Sequence, residues 1–182
     1  MKAIYLTLIA HAATAAQRLG CFPADSDDVC DMVLQPPHEM EAFEALTGPE
    51  LRACKTAHLL GLTSTIEPAL RECDFGRWKG ASLKELQENE PTLLREWLTD
   101  PYFSTHGGES FADVCQRVTR WLDNLLLQGP QIAVTHPMII RAAMMHGLQI
   151  SLDTFHRLDV LPLSRLHLSR RGSWRVRLVA DQ

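Results

Sequence analysis

The chain has 182 residues, 46% of them hydrophobic and 22% charged, with a formal net charge of −4. That length and apolar content suit one compact domain with a sizeable core, expected to span residues 1–182. The mild negative charge, the lack of any Lys/Arg block and the lack of a transmembrane-length apolar run argue against nucleic-acid and membrane partners.

The chain opens on Ala3-Ile4-Tyr5-Leu6-Thr7-Leu8-Ile9-Ala10-His11-Ala12-Ala13-Thr14. A short, almost unbroken apolar run suits a strand covered on both faces, as in a parallel sheet. His11 then stands at its carboxyl end, where ligands bind in open α/β folds. Lys2 followed by an apolar run and small residues also resembles a secretory leader. The run is short, however, and Tyr5 and Thr7 interrupt it, so it reads as a strand.

Gln17 to Asp31 holds Gly20, Pro23 and four aspartates, which is loop chemistry. Val33 to His38 runs into a Pro-Pro pair, and Glu41 to Leu46 alternates as a second strand. A helix is expected from Pro49, with Pro49 and Glu50 in its first turn, ending near Gly61. Arg52 lies in that first turn, facing the carboxyl edge of the sheet. An arginine there is ordinarily a solvated surface charge.

A short strand around Ser64-Thr65-Ile66-Glu67 leads into Leu70-Arg71-Glu72-Cys73-Asp74-Phe75-Gly76-Arg77-Trp78-Lys79-Gly80, a loop that packs and positions something. Ser82 and Glu85 have capping-box spacing for a helix, and Pro91 to Trp97 reads as another. Gly107-Gly108-Glu109-Ser110 precedes a long helix to about Leu127, with Phe111, Val114, Val118, Trp121, Leu122 and Leu125 on one face. Glu109 reads equally as a pocket acid or as a cap of that helix.

Gln131 to Thr135 is another buried strand ending at a histidine, His136, with Pro137 opening an apolar helix. This sets His136 beside unpaired helix N–H groups, a natural anion site. Two alternating strands, Ser164 to Ser169 and Ser173 to Val179, close the chain. The expected fold is an α/β three-layer sandwich, its central sheet mostly parallel with one antiparallel edge. Five cysteines, none in a C-x-x-C pair, read as reduced thiols and place the protein in the cytoplasm. Arg117 and Arg141 are expected in structural ion pairs, and His38, His58, His106, His146, His156 and His167 as surface or partly buried side chains.

Four stretches, Arg52-Ala53-Cys54-Lys55-Thr56-Ala57, Leu70 to Gly80, Gly107-Gly108-Glu109-Ser110 and Thr135-His136-Pro137, resemble in order and spacing the histidine phosphatase superfamily, which is phosphoglycerate mutase-like. The resemblance implies that His11 attacks a phosphoryl group and becomes phosphohistidine, with His136 as the second pocket histidine. It makes Arg52 a phosphate clamp and Glu72 the proton donor to the leaving oxygen. Thr14, Gln17 and Glu109 would line the substrate, a small phosphorylated metabolite, and no cofactor or metal is implied.

The chemistry asks for such residues in its own right. A neutral imidazole is a good nucleophile near neutral pH, and the charge on the transferred group calls for a guanidinium, imidazolium donors and a helix N-terminus. A leaving alkoxide needs a proton, which a carboxyl of raised pKa supplies. No H-E-x-x-H or comparable histidine spacing points to a metal. The departures are equally plain. Where the family has Arg-His-Gly this chain has Ala10-His11-Ala12, and Gln17 stands where many relatives have Asn. Arg18 is the nearby cation available to replace the missing clamp. The expected activity is metal-independent phosphomonoester hydrolysis; the alternative is a weak or inactive protein that binds a phosphorylated ligand.

Overall fold

The computed structural model describes residues 3–31, 44–126 and 129–178. The Pro-Pro pair, His38 and the start of the strand expected from Glu41 lie outside them.

Six strands form one sheet in the order β3-β2-β4-β1-β5-β6: β1 (Ile4–Ala10), β2 (Ala45–Thr47), β3 (Ser64–Ile66), β4 (Gln131–Thr135), β5 (Arg165–Arg171) and β6 (Ser173–Arg177). β1, β2, β3 and β4 run parallel, and β5 and β6 add an antiparallel edge. β1 is central because both its faces are apolar. Leu6, Leu8 and Ala10 enter one core cluster and Ile9 the other, the two-residue alternation of a strand buried on both sides. Each such fully buried aliphatic side chain contributes about 1.5–3 kcal/mol.

The smaller cluster lies between β1, β2, β4 and helix α2 (Leu51–Leu59), through Ala53, Ala57, Ile132 and Val134. The larger lies against α5 (Phe111–Asn124) and α6 (Pro137–Leu148), which cover the opposite face with Val118, Leu122, Ile139 and Ala143. α3 (Leu83–Asn89) and α4 (Pro91–Thr99) flank the loop at residues 70–80. Among the described residues no helix is long and apolar enough to cross a membrane.

Local differences from the sequence reading have identifiable causes. The loop at residues 17–31 begins as one helical turn, α1 (Ala15–Arg18), because Thr14 and Gln17 form a reciprocal capping box. Pro49 and Glu50 precede α2 rather than forming its first turn, and Glu50 caps without a side-chain bond since its carboxylate is used elsewhere. Ser110 caps α5 with Asp113, so Glu109 is no cap. A 3-10 segment, Leu152–Arg157, places Phe155 against Phe111, where the sequence alone suggests no regular element.

Candidate active site

Parallel register delivers the site. Ala10 pairs with Thr135 and Thr47 with Val134, so the carboxyl ends of β1, β4 and β2 lie side by side. The chain leaves β1 at His11, whose N–H still bonds to Thr135 O (2.8 Å), and leaves β4 at His136. β2 gives way to Gly48, bonded to Val134 O (3.0 Å), then Glu50 and the first turn of α2 with Arg52. Four side chains far apart in sequence meet there, His11, Arg52, Glu72 and His136, none more than 8% exposed.

His11 Nδ1 lies 2.8 Å from Ala12 O, and a carbonyl can only accept, so the ring proton sits on Nδ1. Nε2 keeps its lone pair. Burial, then the charge on His136, lowers the His11 pKa to about 4, so the imidazole is neutral at pH 7. Thr56 fixes the turn behind it: its hydroxyl accepts from Ala12 N (2.9 Å) and donates to Arg52 O (2.6 Å).

His136 packs 5.2 Å from His11 between ring centroids. Its Nε2 donates to Glu50 Oε2 at 2.6 Å, and Nδ1 lies 3.2 Å from Glu72 Oε2 but out of line for a hydrogen bond. Burial pushes its pKa down, but Glu72 and Glu50 outweigh burial and hold it raised. Gly48 leaves the room this needs: a Cβ there would stand 2.7 Å from Leu70 O and 2.8 Å from His136 Nε2.

Arg52 donates to Glu72 Oε2 (3.2 Å) and Ala24 O (2.9 Å), leaving Nε without a partner. For Glu72, burial pushes the pKa up, but His136 and Arg52 override it and hold the carboxyl at about 2. Glu72 therefore lacks the raised pKa expected of a proton donor, because Arg52 and His136 both lie against its Oε2. Glu50 also accepts from Glu72 N (2.9 Å), and so braces both His136 and the loop that carries Glu72.

Other residues considered from sequence lie elsewhere. Arg18 and Gln17 are exposed, and Gln17 and Thr14 serve each other's backbone. Among the described residues Arg18 makes no side-chain hydrogen bond or ion pair. Glu109 binds Arg71 (2.8 Å), Arg117 (2.9 Å) and Asp74 N (3.1 Å), tying the 70–80 loop to α5. Arg117 makes its expected ion pair, whereas Arg141 donates to Leu158 O instead. His106, read as at most partly buried, is buried against Trp78 and Phe103, and Trp78 anchors the loop in the aromatic core. Cys73 is buried and its thiol is pushed well up, so it offers no thiolate.

Glu50, Gly48 and Thr56 escaped sequence reasoning as site residues. Only the Thr56 position, inside the Arg52 motif, carried any signal. His11, Glu72 and His136 offer ligand atoms within 4.8 Å of one another, a possible metal set. Arg52 and His136 already occupy the carboxylate, so a dication would have to displace both. A depression of about 640 Å³ beside α5 is larger than the cleft of about 360 Å³ at Glu72. The smaller cleft borders Glu72 and Glu50, the partners of Arg52 and His136, whereas the depression beside α5 borders none of the four clustered side chains, so the smaller cleft is the relevant one.

Residues 35–182 match the model of the histidine phosphatase superfamily, branch 1. The match begins beyond His11. The bifunctional protein Rv2228c of Mycobacterium tuberculosis is 34% identical over 132 residues, covering 70% of this chain but 36% of its own length. Phosphoserine phosphatase 1 of Hydrogenobacter thermophilus is 28% identical over 127 residues, covering 66% of this chain and 60% of its own. Both relatives thus extend well beyond the shared part. Among solved structures, a putative alpha-ribazole-5'-P phosphatase from Escherichia coli superposes with TM-score 0.83 at 20% identity, covering 99% of this chain and 97% of that one. Mycobacterial glucosyl-3-phosphoglycerate phosphatase with VO3 gives 0.81 at 21%, covering 96% and 97%. Together with the sheet order and the paired strand-end histidines, the family match makes this chain a member of the histidine phosphatase superfamily, branch 1.

Proposed function

We propose that the chain hydrolyses a small phosphate monoester through phospho-His11. The observation that carries this reading is the Nδ1–H of His11 committed to Ala12 O, which leaves an unprotonated Nε2 inside a buried cation-bearing pocket. Nε2 attacks phosphorus and the ester oxygen departs with a proton from Glu72. Water then attacks the phosphohistidine, returns a proton to Glu72 and releases phosphate and neutral His11. Arg52 and His136 stabilise the charge on the transferring group, beside the positive end of α6.

Glu72 gains its proton together with the substrate. A phosphoryl dianion takes Arg52 and His136 as its own partners and repels the carboxylate, and both effects raise the Glu72 pKa. No step calls for a metal. The protein is expected to hydrolyse an aryl phosphate in the presence of chelator, and His11→Ala to abolish the activity. Activity that survives His11→Ala, or that requires added zinc or magnesium, contradicts the reading.

A second reading, a phosphate-ligand-binding protein without turnover, is favoured by one feature. Ala10 supplies no second guanidinium, and both terminal nitrogens of Arg52 are engaged by protein groups. Tight phosphate binding without turnover on any ester would select it.

A further inference from the structure

Glu50 stands where helix α2 begins, yet its side chain does not serve the helix. Ser, Thr, Asp and Asn are the residues that cap such a turn, by accepting a bond from its first N–H groups. Glu50 is the N-cap residue and makes no such bond. Its carboxylate instead spans two other elements: Oε2 accepts from His136 Nε2 at 2.6 Å, and Oε1 accepts from the backbone N–H of Glu72 at 2.9 Å. Each contact needs an acceptor, so a carboxylate fills both places, whereas an amide would turn its NH2 toward one of the two donors. Gly48 keeps the space open, since a Cβ there would stand 2.8 Å from His136 Nε2 and 3.0 Å from Glu50 Oε2.

Such a pair is a poor way to gain stability. The His136 side chain is fully buried and that of Glu50 is 10% exposed, and desolvating two charges cancels much of what their attraction returns. What the contact fixes is the ring. With Nε2–H committed to Glu50, Nδ1 is turned into the cluster, buried without a hydrogen-bond partner and 3.2 Å from Glu72 Oε2. Ionisable groups reach His136 from each element around it: His11 from the end of β1, Glu50 and Arg52 from the start of α2, and Glu72 from the 70–80 loop. On its own helix α6, Arg141 is turned to Leu158 O. Burial opposes a charge on His136, Glu72 and then Glu50 outweigh it, and Arg52 opposes it more weakly. In the proposed reaction Glu72 takes up a proton, so Glu50 is the carboxylate that stays charged beside the ring. Burial pushes the Glu50 pKa up, but His136 and Glu72 N hold it lowered.

We infer that Glu50 is a positioning residue: it holds the Nε2 proton of His136, so that Nδ1–H is the ring's donor to a bound phosphoryl group, and it ties that ring to the backbone of Glu72. This rests on the phosphatase reading and adds a residue to it. Glu50 acts through His136 and Glu72, and one carboxylate thereby sets the charge stabiliser and the proton donor in register.

The test is Glu50→Gln, which keeps the size of the side chain and removes its charge. On an aryl phosphate, whose leaving group needs no proton, kcat at neutral pH is expected to fall about tenfold or more. The alkaline limb of kcat/KM should move to lower pH, because His136 then loses its proton more readily. Nitrogen NMR of imidazole-labelled protein should show the same move in the His136 titration. In the native protein, which needs no variant, it should find the proton of the neutral ring on Nε2. In a His136→Asn background Glu50→Gln should cost little more, since the group it acts through is gone. A loss equal at every pH with the His136 titration unmoved overturns the inference. So does a loss undiminished in the His136→Asn background, or a neutral native ring that carries its proton on Nδ1. Calorimetric binding of inorganic phosphate separates the two readings. If Glu50→Gln binds phosphate several-fold more weakly and moves the His136 titration, while the native protein turns over no ester, the phosphatase reading falls and the positioning role stands.

Discussion

In the proposed reaction His11 and Glu72 have different roles, and their surroundings push both pKa values down for different reasons. His11 is lowered mainly by burial, which leaves a neutral nucleophile. Glu72 is lowered by His136 and Arg52 in spite of burial, which leaves a carboxylate that, in the proposed reaction, recovers a proton when the phosphoryl group takes those partners. Glu72→Gln is therefore expected to slow alkyl phosphates at least about a hundredfold while barely touching activated aryl esters, whose leaving groups need no proton. Native protein should take up protons on binding inorganic phosphate, and Glu72→Gln should take up fewer; calorimetry in buffers of different ionisation enthalpy measures both. Equal losses across a leaving-group series would remove Glu72 from the donor role. Position 10 is a different matter. Ala10 is fully buried in the core cluster with Leu6 and Leu8, and Arg18 is exposed on α1, so neither position brings a guanidinium into the cluster of His11, Arg52, Glu72 and His136.

At the level of elements, the junction between β1 and α2 holds the turn that carries His11, the proposed nucleophile. Thr56 joins Ala12 N to Arg52 O, so one hydroxyl couples the turn after His11 to the helix that carries the clamp. Thr56→Val keeps the shape, removes both bonds and leaves the Ala12 N–H buried without a partner. It is expected to cost about 1–3 kcal/mol of stability in urea denaturation and to lower kcat more than it raises KM. A variant of native stability and activity would show that the junction does not position His11. Much of this was legible from residues alone. β1, β4 and the helix after Pro137 follow from apolar runs and a proline at the first helical position, and two histidines stand at the ends of those strands. The bracing by Glu50 was hidden, because a glutamate ahead of a helix ordinarily reads as a dipole partner. Only the parallel placement of β2 beside β4 brings it to His136. Glu109 misled in the opposite direction, since three partners on α5 and the 70–80 loop claim it.

For the molecule as a whole, the buried ionisable cluster ties stability to pH. His11 titrates at about 4 when folded against an ordinary 6.5, so across that window the unfolded chain binds a proton that the folded one refuses. Stability from this group is complete above 6.5 and is lost as pH falls toward 4. The Glu72 contribution persists above its ordinary 4.5 and is lost only as pH falls toward about 2. His136, raised by its carboxylates, acts in the opposite sense, adding stability at low pH that fades as pH rises. Between pH 7 and 5, His11→Asn should therefore lose roughly 2 kcal/mol less than the native protein in urea denaturation. Parallel curves would mean that His11 is not held neutral by the fold.

The central claim, phosphoryl transfer to one nitrogen of one histidine, is tested most directly by trapping the intermediate. Native protein mixed with phosphorus-labelled aryl phosphate and quenched in alkali should carry label that is lost in acid. Phosphorus NMR of the trapped protein should assign it to Nε2 of His11, because Nδ1 is committed to the Ala12 carbonyl. No trapped label during turnover, label on Nδ1, or label that persists in His11→Ala would contradict the account.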